Sequence, residues 1–120
     1  MARFRVRSRH WLEDEDGRVI MGEGRMKILD SIRQTGSMNQ TAKELGMSYR
    51  GVWARIKATE DSLTFKIVES DHRKGTRLTT AGTDLLSRYE GMKQACVEAD
   101  NKLFEEWFPS QCCKGLSGDE

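Results

Sequence analysis

The stretch Ser37-Met-Asn-Gln-Thr-Ala-Lys-Glu-Leu-Gly-Met-Ser-Tyr-Arg-Gly-Val-Trp-Ala-Arg-Ile-Lys57 constrains this chain most, because its spacing dictates two short helices joined by one sharp turn. Ser37 with Gln40 three residues later is a capping-box pattern, in which hydroxyl and amide satisfy the free N–H groups that open a helix. Ala42 and Leu45 share one helical face. Gly46 suits the left-handed position that ends a helix, and Ser48 is placed to cap the next one. Val52, Trp53 and Ile56 supply that helix's buried face, leaving Ser48, Tyr49, Arg50, Ala54 and Arg55 outward. The pattern over residues 37–58 is that of a helix-turn-helix, whose second helix enters the DNA major groove by its N-terminal half. Two amphipathic helices of an ordinary helical domain share this periodicity, so the flanking segments decide.

Downstream, Phe65-Lys-Ile-Val-Glu69 is rich in β-formers, Asp71-His-Arg-Lys-Gly75 is a basic turn, and Arg77-Leu78-Thr79 resumes a strand. A strand, basic tip and returning strand over residues 65–79 form the wing of a winged helix. Upstream, Met26, Leu29 and Ile32 fall at helical spacing between Arg25 and Gln34, and Thr35-Gly36 ends that helix. Residues 3–12 alternate arginine with Phe4 and Val6 as a strand does. Asp16-Gly17 is a hairpin turn signal, and Arg18 to Met21 returns, giving a β-hairpin over residues 3–21 with a solvated tip from Glu13 to Asp16. The arginines of its first strand either touch phosphate or form a solvated face balanced by the acidic turn. The expected fold is mainly α within the α+β class: a winged helix-turn-helix with an N-terminal β-hairpin and a long C-terminal dimerisation helix, one domain over residues 1–108.

That last helix, over residues 80–108, places Leu85, Tyr89, Met92, Cys96, Ala99 and Leu103 at heptad spacing, and the repeat fails at Glu106. At about 40 Å it exceeds the width of a small winged-helix core. The seam either packs on its own domain or pairs with a second copy, and its length favours a symmetric homodimer with Cys96 facing its twin. Residues 109–120 read as a flexible tail.

Charge bears on the partner through its distribution. The net formal charge is +1. Residues 1–36 hold eight Lys or Arg against six Asp or Glu, residues 37–78 eight against five, and residues 79–120 four against eight. The positive share sits on the motif and wing, which suits phosphate even in a nearly neutral chain. No apolar run has the length of a membrane span or a signal-peptide core, so a cytoplasmic protein with no membrane partner is expected. Three cysteines, with Cys112 and Cys113 adjacent, do not form a disulfide framework or a metal-ligand spacing. No metal site or cofactor is expected; a sensor of metal or redox state through Cys96, Cys112 and Cys113 is the variant reading. His10 and His72 have no nucleophile and acid arranged about them, so no enzyme is expected.

Trp11-Leu-Glu, Gly22-Glu-Gly-Arg-Met-Lys-Ile-Leu29, Thr35-Gly-Ser37, Ala42-Lys-Glu-Leu-Gly-Met-Ser-Tyr-Arg50, Trp53 and Leu78-Thr-Thr-Ala-Gly82 together resemble the N-terminal DNA-binding domain of the ModE family of bacterial molybdate-responsive transcriptional regulators. A more distant similarity, in the helix-turn-helix and the Leu-Thr-x-x-Gly segment, is to the LysR-type regulators. The ModE resemblance covers residues from about Arg3 to Leu103. It implies a homodimeric winged helix on a palindromic operator, with the long helix in the dimer interface. Full-length members carry a C-terminal oxyanion-binding region for which this chain leaves no room, so a regulator without the molybdate-binding domain is expected, and a separate molybdate-sensing protein stays open as a partner. The wing loop is also shorter and less glycine-rich than the family's.

On double-stranded DNA, Ser37, Asn39 and Gln40 at a helix N-terminus would hold one phosphate. Arg73 and Lys74 at the wing tip would hold another, and Arg55 a third. Arg50 suits bidentate reading of guanine, with Ser48 and Tyr49 on neighbouring base edges, although phosphate contact or plain solvation of Arg50 is equally open. The reading of another class is a protein-interaction winged helix without operator specificity.

Overall fold

The computed structural model describes residues 3–109. Its elements are β1 (Leu12–Glu13), β2 (Val19–Met21), α1 (Glu23–Thr35), α2 (Met38–Leu45), α3 (Tyr49–Leu63), β3 (Val68–Asp71), β4 (Gly75–Leu78) and α4 (Thr80–Trp107). Three helices, an antiparallel hairpin and a terminal helix are the winged-helix order. Residues 10–90 make one compact unit, and residues 3–9 with residues 91–109 make a second.

Local chemistry sets the helix ends. α1 stops at Gly36, whose φ of 67° is left-handed and whose N–H returns to the Ile32 carbonyl; α2 stops in the same way at Gly46, φ 64°. Ser37 and Ser48 cap α2 and α3 through their hydroxyls. The core of the larger unit joins Ile28, Leu29 and Ile32 of α1 to Ala42 of α2, Val52 and Ile56 of α3, Val68 of β3, and Leu86 and Tyr89 of α4. The wing strands pair in simple register, from Val68↔Leu78 to Asp71↔Gly75.

The expected hairpin over residues 3–21 needs correction. Pairing is confined to Leu12↔Met21 and Glu13↔Val19, with a register shift between them, and residues 3–11 carry no regular structure. β2 is three residues long and runs at once into Gly22 and α1, so no strand remains opposite Phe4 and Val6. Their alternation is answered by a helix instead: Phe4 packs against Phe104 and Phe108. The tip is more than solvated acid, since Asp14 accepts from the backbone N–H groups of Asp16 and Arg18 and from the Ser62 hydroxyl at 2.9–3.0 Å.

α3 continues to Leu63, beyond the expected residue 58, because its last turns fasten neighbouring elements. Thr59 donates to the Ile20 carbonyl at 2.6 Å. The buried carboxylate of Glu60 accepts from Ile67 N at 2.8 Å and Val68 N at 3.2 Å. With those donors turned to α3, β3 starts at Val68 and Phe65 is left exposed.

The seam of α4 also needs correction. Tyr89 is only 2% exposed, and its hydroxyl donates to the His10 carbonyl at 2.6 Å. Leu85 packs against the same core. Tyr89 therefore serves its own domain's core rather than a dimer interface, because an apolar stripe at heptad spacing fits either. Met92, Ala99 and Leu103 are exposed and Cys96 is half-buried. Residues 110–120, with Cys112, Cys113 and most of the expected tail, lie outside the described residues.

Candidate nucleic-acid interface

The helix-turn-helix is held by a hydroxyl network behind its turn. Ser37 Oγ accepts from Gln40 N at 3.1 Å, as a capping box requires. The reciprocal half differs from the expectation: Ser37 N donates to Thr35 Oγ1 at 3.2 Å, which frees the Gln40 amide to donate to Glu44 at 3.4 Å. The Ser31 hydroxyl lies within hydrogen-bond reach of the Thr41 hydroxyl and the Glu44 carboxylate, each at 3.0 Å, tying α1 to α2. These bonds fix the entry of α2, and with it the angle at which α3 is presented.

At the start of α3 the Ser48 hydroxyl accepts from Gly51 N at 2.9 Å. A Cβ on Gly51 would stand 3.0 Å from that oxygen, so the glycine leaves room for the cap. The expected base-reading residues Ser48, Tyr49 and Arg50 are all exposed. With its oxygen engaged by Gly51, the Ser48 hydroxyl still has a proton to donate outward. Arg55 Nη1 bends back to the Gly51 carbonyl at 3.2 Å, which holds the guanidinium beside the helix. Burial first, and the charge of Arg55 second, press Arg25 below its ordinary pKa.

The wing turn is shaped by Asp71, whose Oδ1 accepts from Arg73 N at 2.7 Å and Lys74 N at 3.3 Å. This Asx turn projects the two side chains outward. Arg50, Arg73 and Lys74 form no ion pair among the described residues, whereas Arg77 is paired with Glu69 across the wing at 3.4 Å.

Between the start of α2, the start of α3 and the wing runs an open groove lined by Ser37, Asn39, Tyr49, Ser70, His72, Arg73 and Thr76, among others. The fold therefore brings four of the expected residues, Ser37, Asn39, Tyr49 and Arg73, around one hollow. Gln40, Ser48, Arg50, Arg55 and Lys74 are exposed but do not line it. Ser70, His72 and Thr76 escaped the sequence reading. Strand alternation puts Ser70 and Thr76 on one face as a cross-strand pair, with hydroxyls 3.1 Å apart, which was the available signal. A helix N-terminus, polar hydroxyls and the Arg73 guanidinium around a concave surface suit an anionic backbone. Among the described residues no His, Cys, Asp and Glu group could hold a metal ion, and no helix is long and apolar enough to cross a membrane.

The family model described as "Bacterial regulatory helix-turn-helix protein, lysR family" matches residues 24–83. The Herbaspirillum seropedicae molybdenum transport protein ModE is 32% identical over 75 residues, 59% of this chain and 28% of that protein. The Rhodobacter capsulatus molybdenum-pterin-binding protein MopB is 32% identical over 104 residues, 81% of this chain and 38% of that protein. The chain thus spans less than two-fifths of the length of these curated relatives. Among solved structures, a CbnR DBD–DNA complex superposes with a TM-score of 0.57 at 23% identity, covering 68% of this chain and 93% of that one. Full-length CbnR complexed with its target DNA gives 0.58 at 24%, covering 71% of this chain and 29% of that one. At these identities the structural likeness is one of fold.

Proposed function

Because this chain belongs to the lysR family of bacterial regulatory helix-turn-helix proteins, and is thereby a DNA-binding transcriptional regulator of the LysR/ModE type, we propose that it binds a palindromic operator as a homodimer and does not act as an enzyme. The observation that carries the reading is the pairing of an exposed Tyr49–Arg50 recognition surface with unpaired wing cations at Arg73 and Lys74. Arg50 reads guanine, with Ser48 and Tyr49 on adjacent base edges. Ser37, Asn39, Gln40, Arg55, Arg73 and Lys74 hold phosphates and set the register. Two copies meet through the second half of α4, where Met92, Leu103 and Trp107 are 37%, 52% and 74% exposed, with Cys96 and Ala99 on the same stripe.

The test is titration of the purified chain against genomic fragments, then footprinting of the best fragment at two salt concentrations, with and without molybdate because relatives carry molybdenum in their names. Two protected half-sites about one helical turn apart are expected, with affinity falling steeply as salt rises. Salt-insensitive association without a footprint would replace this reading by a protein-interaction module.

A further inference from the structure

Within the smaller unit, Phe4 stands edge-on to Phe104 and to Phe108, with ring centroids 5.6 Å apart in each case, and the two helix rings stack at 5.4 Å. Four residues on, the Ser8 hydroxyl donates to Asp100. The segment therefore runs antiparallel to the end of α4, held at two points, with Val6 half-buried between them. The arginines of this segment stand two residues apart in sequence. Arg3, Arg5, Arg7 and Arg9 are all exposed, and none makes an ion pair among the described residues.

Four like charges in one row repel, and a free segment would bend to separate them. Here the aromatic clamp and the Ser8–Asp100 bond tie the segment that carries them to the end of α4. In an extended chain, alternate residues repeat at about 6.6 Å, close to the step between successive phosphates along one nucleic-acid strand. Guanidinium is the side chain that takes phosphate by a planar, bidentate fork and stays charged at any physiological pH. Lysine would supply the charge without the fork, and the row contains none.

We propose that Arg3, Arg5, Arg7 and Arg9 form a second phosphate-binding row that engages the backbone of double-stranded DNA, adding affinity without base specificity. The proposal rests on the DNA-binding reading above and extends it to a surface outside the helix-turn-helix and wing. The row acts by releasing counterions, so its contribution is the same on any duplex and shrinks as salt rises.

The test compares the full chain with a variant carrying Arg3→Gln, Arg5→Gln, Arg7→Gln and Arg9→Gln, and with the matching four-lysine variant. Binding is measured across a salt series to a duplex holding the footprinted site and to an unrelated duplex of equal length. Each lost contact should flatten the slope of log affinity against log salt by about 0.9, so the glutamine variant should lose about 3 to 4 on both duplexes. The lysine variant should keep most of the slope. An unchanged slope in the glutamine variant, with wild-type binding intact, overturns the row alone. Absence of salt-dependent DNA binding by the wild type overturns the underlying reading instead. If the glutamine variant keeps its DNA slope but loses binding to vesicles of phosphatidylcholine and phosphatidylglycerol, the row serves a membrane surface and the proposal fails.

Discussion

The backbone N–H of Thr76 donates to the Gly36 carbonyl at 3.0 Å, so the second wing strand is bolted to the turn between α1 and α2. Two parts of the candidate interface that lie forty residues apart in sequence thereby share one rigid joint. A wing hinged freely on its own hairpin would present Arg73 at no defined angle to α3.

Gly75 makes that joint achievable. It has φ +77°, and a Cβ there would lie 2.6 Å from the Gly36 carbonyl oxygen. Gly75→Ala should cost about 1–2 kcal/mol from the left-handed conformation alone and push the wing off the turn. Urea unfolding should show a lower midpoint, and DNA affinity should fall on all sequences. An unchanged midpoint would show that the wing shifts without penalty.

Among the described glycines Gly82 has the tightest approach, with a Cβ there only 2.0 Å from the Ile67 carbonyl oxygen. That oxygen already accepts from Thr79 N at 3.0 Å, so it cannot withdraw cheaply. Gly82→Ala should sit at or above the upper end of the roughly 1–3 kcal/mol typical of overpacking. Thermal unfolding would read this directly, and a shift no larger than that of an exposed helix substitution would contradict it.

Glu60 is the buried carboxylate that starts β3. Glu60→Ala leaves Ile67 N and Val68 N without their acceptor, at a cost of about 1–3 kcal/mol. Glu60→Gln retains a carbonyl oxygen in place and should lose clearly less. Equal losses in the two variants would mean that packing, not hydrogen bonding, is what Glu60 supplies.

Asp14 predicts an acid-sensitive contribution. The Arg18 backbone N–H foremost, helped by the Ser62 hydroxyl and the Asp16 N–H and opposed by burial, lowers its pKa in the folded protein. A carboxylate depressed in the folded state stabilises fully above its unfolded value of about 3.9 and loses that contribution as pH falls through the folded value. Asp14→Asn should therefore be less stable than wild type near neutrality and converge with it in strong acid. Urea midpoints across that range would decide, and a constant gap at every pH would refute the linkage.

Arg50 and the wing cations should separate by kind of defect. Arg50→Ala should cost about 1–3 kcal/mol on the preferred site and relax selectivity at one base pair. Arg73→Gln with Lys74→Gln should weaken binding uniformly and reduce the salt slope by about 2. A uniform loss from Arg50→Ala would move that residue to the phosphate group.

The helix ends were legible because their chemistry is local. Ser37, Ser48, Gly36 and Gly46 act through bonds that reach no more than four residues. The wing was visible for the same reason, although its first strand was placed too early, since Ile67 and Val68 look like strand from their side chains while their N–H groups turn to Glu60. Residues 3–9 alternate in sequence as a strand does, yet they carry no regular structure and Phe4 packs on the end of α4: a period of two announces a face but not what covers it.

What this sequence determined by itself was the set of helices, the helix-turn-helix, the wing and the outward side chains of α3, all of which follow from caps, turns and periodicity over a few residues. Tertiary structure alone decided the rest. Thr59 on Ile20, Asp14 on Ser62 and Tyr89 on His10 join residues 39, 48 and 79 positions apart. A sequence pattern records that a side chain is polar or apolar. Which distant backbone oxygen or core stripe satisfies it is settled only when the elements pack, and that packing is why Tyr89 belongs to its own core and Phe4 to the end of α4.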